Sequence, residues 1–362
     1  MSAEKQDADL LNRLGITAKM RRRMLRAVQR LVDRLTDRQI LKEPVSSITE
    51  ADVCNLCYLL PDTLLNEPVC LTLTLENPIY VIGDLRGQFT HLIHLLNTLG
   101  HPPETHYLFL GNYADYGEKS IETLALLFAY KLLHPQSVYL LRGKHECDAV
   151  GRVYGLFDLC LKRFTRRMWH DITAVFTYLP VAALLDDQIL CIHGGLSPLI
   201  EFSKVCNPTD LKTQLCQTIT RPAVLDRNSI LTHLIWSDPD EDTVNWEQNP
   251  IGMGYLFGPR VVTAFCDRLG ITQIIRSSEM VSTGYAFFKD PRILTIFSAP
   301  DFASQYGNDG AVVQLFRQTG EEMRCKIKIM KPIIRLRCKQ TTRINVLFEE
   351  VTFELGKHAA IV

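Results

Sequence analysis

From residue 78 onward, apolar and polar positions alternate in blocks: a short apolar run, a polar loop bearing glycine, then an amphipathic stretch. IYVI (79–82) leads into Gly83 and Asp84. FTHLIHLLNTLG (89–100) follows, with Phe89, Leu92, Leu95, Leu96 and Leu99 on one helical stripe that Gly100 can stop. HYLFLGN (106–112) predicts a second strand, and SIETLALLFAYKLL (120–133) a second helix with Ser120 as its N-cap. SVYLLRG (137–143) predicts a third strand running into GKHE. QILCIHGG (188–195) predicts a fourth and LTIFSAPDF (294–302) a fifth. This alternation argues an α/β layered fold, with polar residues gathered at the carboxyl ends of the strands, where ligand sites form.

The ends of the chain read differently. KMRRRMLRAVQRLVDRL (19–35) places Met20, Met24, Val28, Leu31 and Leu35 at helical spacing, with Arg21, Arg22, Arg23, Arg26, Arg30 and Arg34 over the rest of the surface. Two readings stay open for those arginines: a solvated face of a packing helix, or a patch for an anionic partner. Near the other end, RINVLFEEVTFEL (343–355) alternates as a strand at Val351, Phe353 and Leu355, and holds Val-x-Phe triplets at 346–348 and 351–353.

Composition changes this picture little. Charged residues are 22% and the formal net charge is zero, so no bulk attraction to nucleic acid is expected. No apolar run is long enough to span a membrane. The 11 cysteines are scattered through apolar runs, as expected of reduced thiols in an intracellular protein, cytoplasmic or nuclear. Cys54 and Cys57 form one C-x-x-C in a helix-like stretch, read as core packing.

Any one strand-end Gly-Asp is a weak signal; five polar loops in one chain are a strong one. In order they are GDLRGQ (83–88), GNYADYG (111–117), GKHE (143–146), HGG (193–195) and SAPDF (298–302), with RSS (276–278) before the last. Together they resemble the phosphoprotein phosphatase (PPP) family of serine/threonine phosphatases, and most of all its type 1 catalytic subunit. That family writes GDxHGQ, GDxVDRG, GNHE, HGG, RxH and SAPNY. HECDAVGRVYGLFDLC, LIWSDPDED and FGPRVVTAF match in kind. The resemblance covers roughly residues 45 to 333. It implies a single-domain αββα metallophosphatase fold, a central β-sandwich of mixed sheets flanked by helices. It also divides the chain into a basic helical extension (1–44), the phosphatase domain (45–333) and a tail (334–362).

The resemblance implies two divalent metals, manganese or iron with zinc, which bind phosphate and activate a bridging water. Its six ligand positions fall here on Asp84, Arg86, Asn112, Lys144, His193 and Ser278, of which Asp84 and His193 keep the family residue. Arg86 replaces a histidine, and a guanidinium has donors only. Asn112 replaces the bridging aspartate and brings no charge, though its amide oxygen remains a candidate ligand. Lys144 replaces an asparagine, and Ser278 a histidine. The two phosphate-clamp arginines become Tyr116 and Ile251. His145 and Asp115 keep the family's general acid and its orienting partner. The expectation is that Arg86 and Lys144 replace the metals electrostatically beside Asp84, Asp115 and Asp301, leaving no metal expected to bind well.

The type 1 subunit also recruits proteins bearing Val-x-Phe peptides through an apolar groove. Matching positions are Ile189, Phe287, Leu294, Met323, Cys325 and Ile327; Gln273 and Pro291 depart from the pattern. Plain core packing explains the six equally well. Self-docking by the tail is disfavoured, because acidic residues precede the second triplet. The reading is a catalytically inactive phosphatase-like protein acting through protein partners, among them phosphatase regulatory subunits. The alternative is an active or weakly active metal-dependent serine/threonine phosphatase. A phosphopeptide-binding module is a third reading, and Tyr116 and Ile251 speak against it.

Overall fold

The short apolar runs pair into two six-stranded sheets. The structure is a computed structural model that describes residues 17–37, 48–288, 291–317, 323–332 and 348–354. One sheet runs through β15 (Phe348–Glu354), β14 (Met323–Met330), β13 (Gly310–Arg317), β2 (Ile79–Ile82), β3 (His106–Phe109) and β4 (Val138–Leu140). The other runs through β1 (Cys70–Leu73), β5 (Ala182–Leu185), β6 (Ile189–Ile192), β10 (Gln273–Arg276), β12 (Ile293–Ile296) and β11 (Tyr285–Phe287). Both sheets are mixed: β2, β3 and β4 are parallel, while β2, β13, β14 and β15 are antiparallel in turn. β7 (Asp238–Pro239), β9 (Tyr255–Phe257) and β8 (Trp246–Gln248) form a small third sheet.

The two large sheets pack face to face over an apolar interior that includes Val81, Leu108, Ile275, Leu294, Val313 and Ile327. Helices cover the outer faces, completing the αββα layers. Over the first sheet lie α1 (Ala18–Thr36), α2 (Glu50–Leu65), α3 (Phe89–Leu99) and α4 (Ser120–Leu133), followed by the short α5 (Asp148–Tyr154), α6 (Leu156–Arg163) and α7 (Arg166–Phe176). Over the second lie α8 (Pro208–Thr218), α9 (Ile230–Trp236) and α10 (Pro259–Leu269). α4 is apolar almost all round and buried along nearly its whole length, as a central helix must be.

The ends of the chain join this body. In α1, Val28, Leu31, Val32 and Leu35 enter the core, and Arg34 pairs with Asp52 of α2 at 2.7 Å. Met20, expected on the buried stripe, is 52% exposed because the first turn of the helix is open to solvent. Ser120 is the first residue of α4 rather than its cap; its hydroxyl instead accepts from the amide of Asp115 and donates to the carbonyl of Gly117. The tail strand forms as β15; Leu355 and the triplet at 346–348 extend outside the described residues.

Candidate active site

Six strand ends, β2, β3, β4, β6, β10 and β12, deliver the polar loops to one region. A bridge between Asp84 and Phe297 ties the two sheets there. The loops touch backbone to backbone: a Cβ on Gly111 would lie 2.5 Å from the amide nitrogen of Gly143, so no side chain fits. Arg86, Asn112, Asp115, Tyr116, Ser278 and Asp301 all hold positive φ, between 46° and 82°. Left-handed backbone costs L-residues of order 1 kcal/mol each, and such conformations cluster at functional loops.

Asp84 is the centre of the first cluster. Its Oδ2 accepts from Nε and Nη2 of Arg86, each at 2.7 Å, and from Nδ2 of Asn112 at 2.8 Å. Its Oδ1 accepts from Ser277 Oγ at 2.5 Å and from the amide of Ser278 at 3.1 Å. Burial alone would push this carboxyl up; Arg86, His193 and the Ser277 and Asn112 bonds override it and hold it well below the usual range. Arg86 has a second partner, for its Nη1 donates to Nε2 of His145. A guanidinium cannot accept, so Nε2 carries the lone pair and the imidazole proton sits on Nδ1, which donates to Asp115 at 2.6 Å. Burial depresses the His145 pKa, and Arg86 adds to that effect against Asp115. The guanidinium is roofed by Tyr116 and Phe302, 5.5 and 5.6 Å from the ring centroids.

Asp238 is the centre of the second cluster. Both its oxygens accept from Lys144 Nζ at 3.2 Å, and Oδ1 accepts from Arg276 Nη2 at 2.6 Å. Asn249 Nδ2 donates to it at 3.2 Å, and Ser278 Oγ stands 3.4 Å away. Burial lowers the Lys144 pKa against Asp238, while Asp238, which burial would raise, is lowered by Lys144 and Arg276. The expected neighbours of Lys144 were Asp84, Asp115 and Asp301. Its partner is instead Asp238, and Asp301 turns away to accept from the amide of Gly307. Asp238, Arg276 and Glu146 were not singled out in the sequence, although WSDP, RSS and GKHE contain them. Glu146 accepts from the amides of Asn112, Tyr113 and Gly143 and so pins two loops; burial pushes its pKa to about 7.

This arrangement of loops at the ends of a β-sandwich has known counterparts. The sequence model of the calcineurin-like phosphoesterase family matches residues 77–277. The chain belongs to this family. A protein serine/threonine phosphatase from Saccharomyces cerevisiae with similarity to human phosphatase PP5 superposes with a TM-score of 0.71 at 26% identity, over 92% of this chain and 98% of that one. The chain thus has a phosphoesterase fold like that of the PPP phosphatases. A cold-active protein-tyrosine phosphatase of a psychrophilic Shewanella shares the fold, with a TM-score of 0.51 and 13% identity over 73% of this chain and 81% of that one.

Calcineurin-like phosphoesterases work with divalent metals, and the donors present here do not fit a pair of them. Both oxygens of Asp84 are occupied by donors. The Asn112 amide oxygen, a candidate ligand in the sequence, instead accepts from the amide of His145 at 2.8 Å. Arg86 and Lys144 have no lone pair to offer. His193 keeps one: its Nδ1 donates to the carbonyl of Leu110 at 2.9 Å, and its Nε2 is buried without a partner. Burial pushes the pKa of that imidazole down to about 3, so it is neutral. Among the described residues, no three His, Cys, Asp or Glu side chains gather as metal ligands do. At the clamp positions, Ile251 is 59% exposed and offers no polar side-chain atom. Tyr116 packs on Phe302 and Tyr154, 4.9 and 5.2 Å between centroids.

The groove positions come together elsewhere. Ile189, Leu294, Met323, Cys325 and Ile327 are buried between the sheets, and Phe287 packs at their margin. The two departing residues meet: Gln273 Nε2 donates to the carbonyl of Pro291 at 3.0 Å. Val351 of β15 packs on the same cluster, so the tail reaches this edge despite the acidic residues before it.

Proposed function

We propose that this PPP family member is a catalytically silent phosphatase that acts by binding proteins, through a surface related to that of the type 1 subunit. The observation that carries the reading is the position of Arg86, bonded at once to Asp84 and His145. It supplies positive charge where a metal would supply it, and it occupies the nitrogen that a general acid must use. Lys144 on Asp238 does the same for the second half of the centre. Without metals there is no activated water, and proton transfer alone contributes about 10²–10⁴ in rate to a substrate that is already bound and polarised. Tyr116 and Ile251 remove the phosphate fork, which also speaks against capture of phosphopeptides.

One observation favours a weakly active enzyme: the buried, unpartnered Nε2 of His193, a lone pair facing the old centre. Hydrolysis of a phosphoserine peptide with manganese decides between the two, run beside a His145→Ala control. The silent reading expects equal rates for both proteins. Hydrolysis by the native protein clearly above the control would refute it.

A further inference from the structure

The outer face of α1 carries a row of cations that neither the fold nor the centre uses. On a helix of about 3.6 residues per turn, Lys19, Arg22, Arg23, Arg26 and Arg30 fall within an arc of about 100°. Val28, Leu31, Val32 and Leu35 lie on the opposite side, in the core, so the arc points away from the body. All five cations are exposed, and among the described residues no carboxylate pairs with any of them. Arg34, further round the helix, is the arginine that ties α1 to α2 through Asp52.

This order of charges works against the helix itself. Lys19 and Arg23, Arg22 and Arg26, and Arg26 and Arg30 stand four residues apart, where like charges repel. A helix N-terminus favours acidic residues, yet the first turn of α1 has none; its acids, Asp33 and Asp37, come at the other end. A packing helix that needs only solvation would mix the two signs along its outer face. Local rules broken on one face, with no gain inside the fold, mark a face used for something outside it.

We propose that this face adsorbs the protein on a membrane surface rich in anionic phospholipid. The chain as a whole has no net charge, so the attraction is local to the row. The apolar side of α1 is taken up by the core, so the helix does not insert as an amphipathic anchor does; it lies on the headgroups chiefly through its cations. Two observations favour a flat lipid surface over nucleic acid. A helix is about 10–12 Å across and the major groove about 12 Å wide, so a helix sunk along one side in the protein body cannot enter it. Met20, 52% exposed, also flanks the cations with an apolar side chain, which suits the boundary between headgroups and acyl chains better than a phosphate backbone. The state of the catalytic centre has no part in this adsorption, so a hydrolysis result leaves the proposal standing.

The test is co-sedimentation of the full chain with vesicles, either of phosphatidylcholine alone or of equal parts phosphatidylcholine and phosphatidylserine. Binding should appear only with phosphatidylserine, and should fall away at high salt, where the screening length shrinks to about 3 Å. Each cation at such a surface contributes about fivefold in partitioning, so Arg22→Gln, Arg26→Gln and Arg30→Gln together should weaken binding about a hundredfold. Arg22→Lys, Arg26→Lys and Arg30→Lys together keep the charges and should keep the binding. The melting midpoint of the glutamine variant should hold or rise, because repulsion along the helix is relieved. A clear fall would assign these arginines to the fold and overturn the proposal. Equal binding to both kinds of vesicle, no binding to either, or binding that survives the glutamine changes would overturn it too. If duplex RNA at equal phosphate concentration strips the protein from the vesicles, the face belongs to nucleic acid and the membrane assignment fails.

Discussion

Arg86 Nη1 donates to His145 Nε2, the nitrogen from which a general acid would release its proton. One side chain thereby neutralises Asp84 and blocks the proton-transfer pair. Replacing it by Arg86→Met leaves Asp84 buried and without its cation. We expect a loss of about 3–5 kcal/mol, the usual cost of breaking a buried ion pair from one side. The double variant Arg86→Met with Asp84→Asn should recover most of that loss in urea unfolding. In the single variant the His145 pKa should rise, since a nearby positive charge has been removed; NMR titration of the imidazole reads it.

The second cluster makes an ordered prediction. Asp238→Ala strands Lys144 and takes from Arg276 one of its two carboxylate partners, leaving it Glu279, whereas Lys144→Met leaves Asp238 with Arg276 and Asn249. The first change should cost about 3–5 kcal/mol and the second about 1.5–3 kcal/mol. Equal costs in denaturant titrations would show that Lys144, not Asp238, organises this half.

Stability should fall with acid already above the carboxylate range. Burial holds His91 at about 4 and His193 at about 3, against about 6.5 in an unfolded chain. A lowered histidine pKa stabilises the fold fully above about 6.5, and that stability is lost as pH falls toward the folded value. Each group contributes about 1.4 kcal/mol per pH unit in that window. Asp84 and Asp238, also lowered, add to the loss once pH drops below about 3.9. Urea midpoints between neutral pH and pH ~4.5 should therefore decline steeply, and a flat profile would count against neutral buried imidazoles.

Restoring ligands alone should not restore turnover. The variant R86H/N112D/K144N/S278H regains the ligand types but not the clamp. We expect manganese-dependent hydrolysis of a phosphoserine peptide to stay near the H145A background, and to rise once Y116R and I251R are added. Phosphate recognition by a planar fork is the step that the four-residue variant lacks.

The strands before GDLRG, GNYADYG, GKHE, HGG and SAPDF were legible because each is an apolar run ending in a glycine-bearing loop. Their convergence followed from the family likeness. The bond between Arg86 and His145 was not legible: the residues are 59 positions apart, and the reach of a guanidinium depends on where the left-handed turn at Arg86 aims it. The partner of Lys144 was missed because Asp238 reads as an ordinary loop aspartate until Arg276, 38 residues later, converges on it. Met20 fitted the helical stripe by periodicity, yet nothing in the sequence says where the neighbouring helices stop covering it. Glu146 was hidden because its three partners are backbone amides, which leave no trace in residue type.

Thermal melting of the chelator-treated protein with and without manganese tests the central claim most directly. Binding to the folded state must raise the midpoint, by about 2.7 kcal/mol of stability at a hundredfold excess over the dissociation constant. If Arg86 and Lys144 stand in for the two metals, the midpoint should move by less than about 1 °C. A clear manganese-dependent rise would show that the centre still holds its metal.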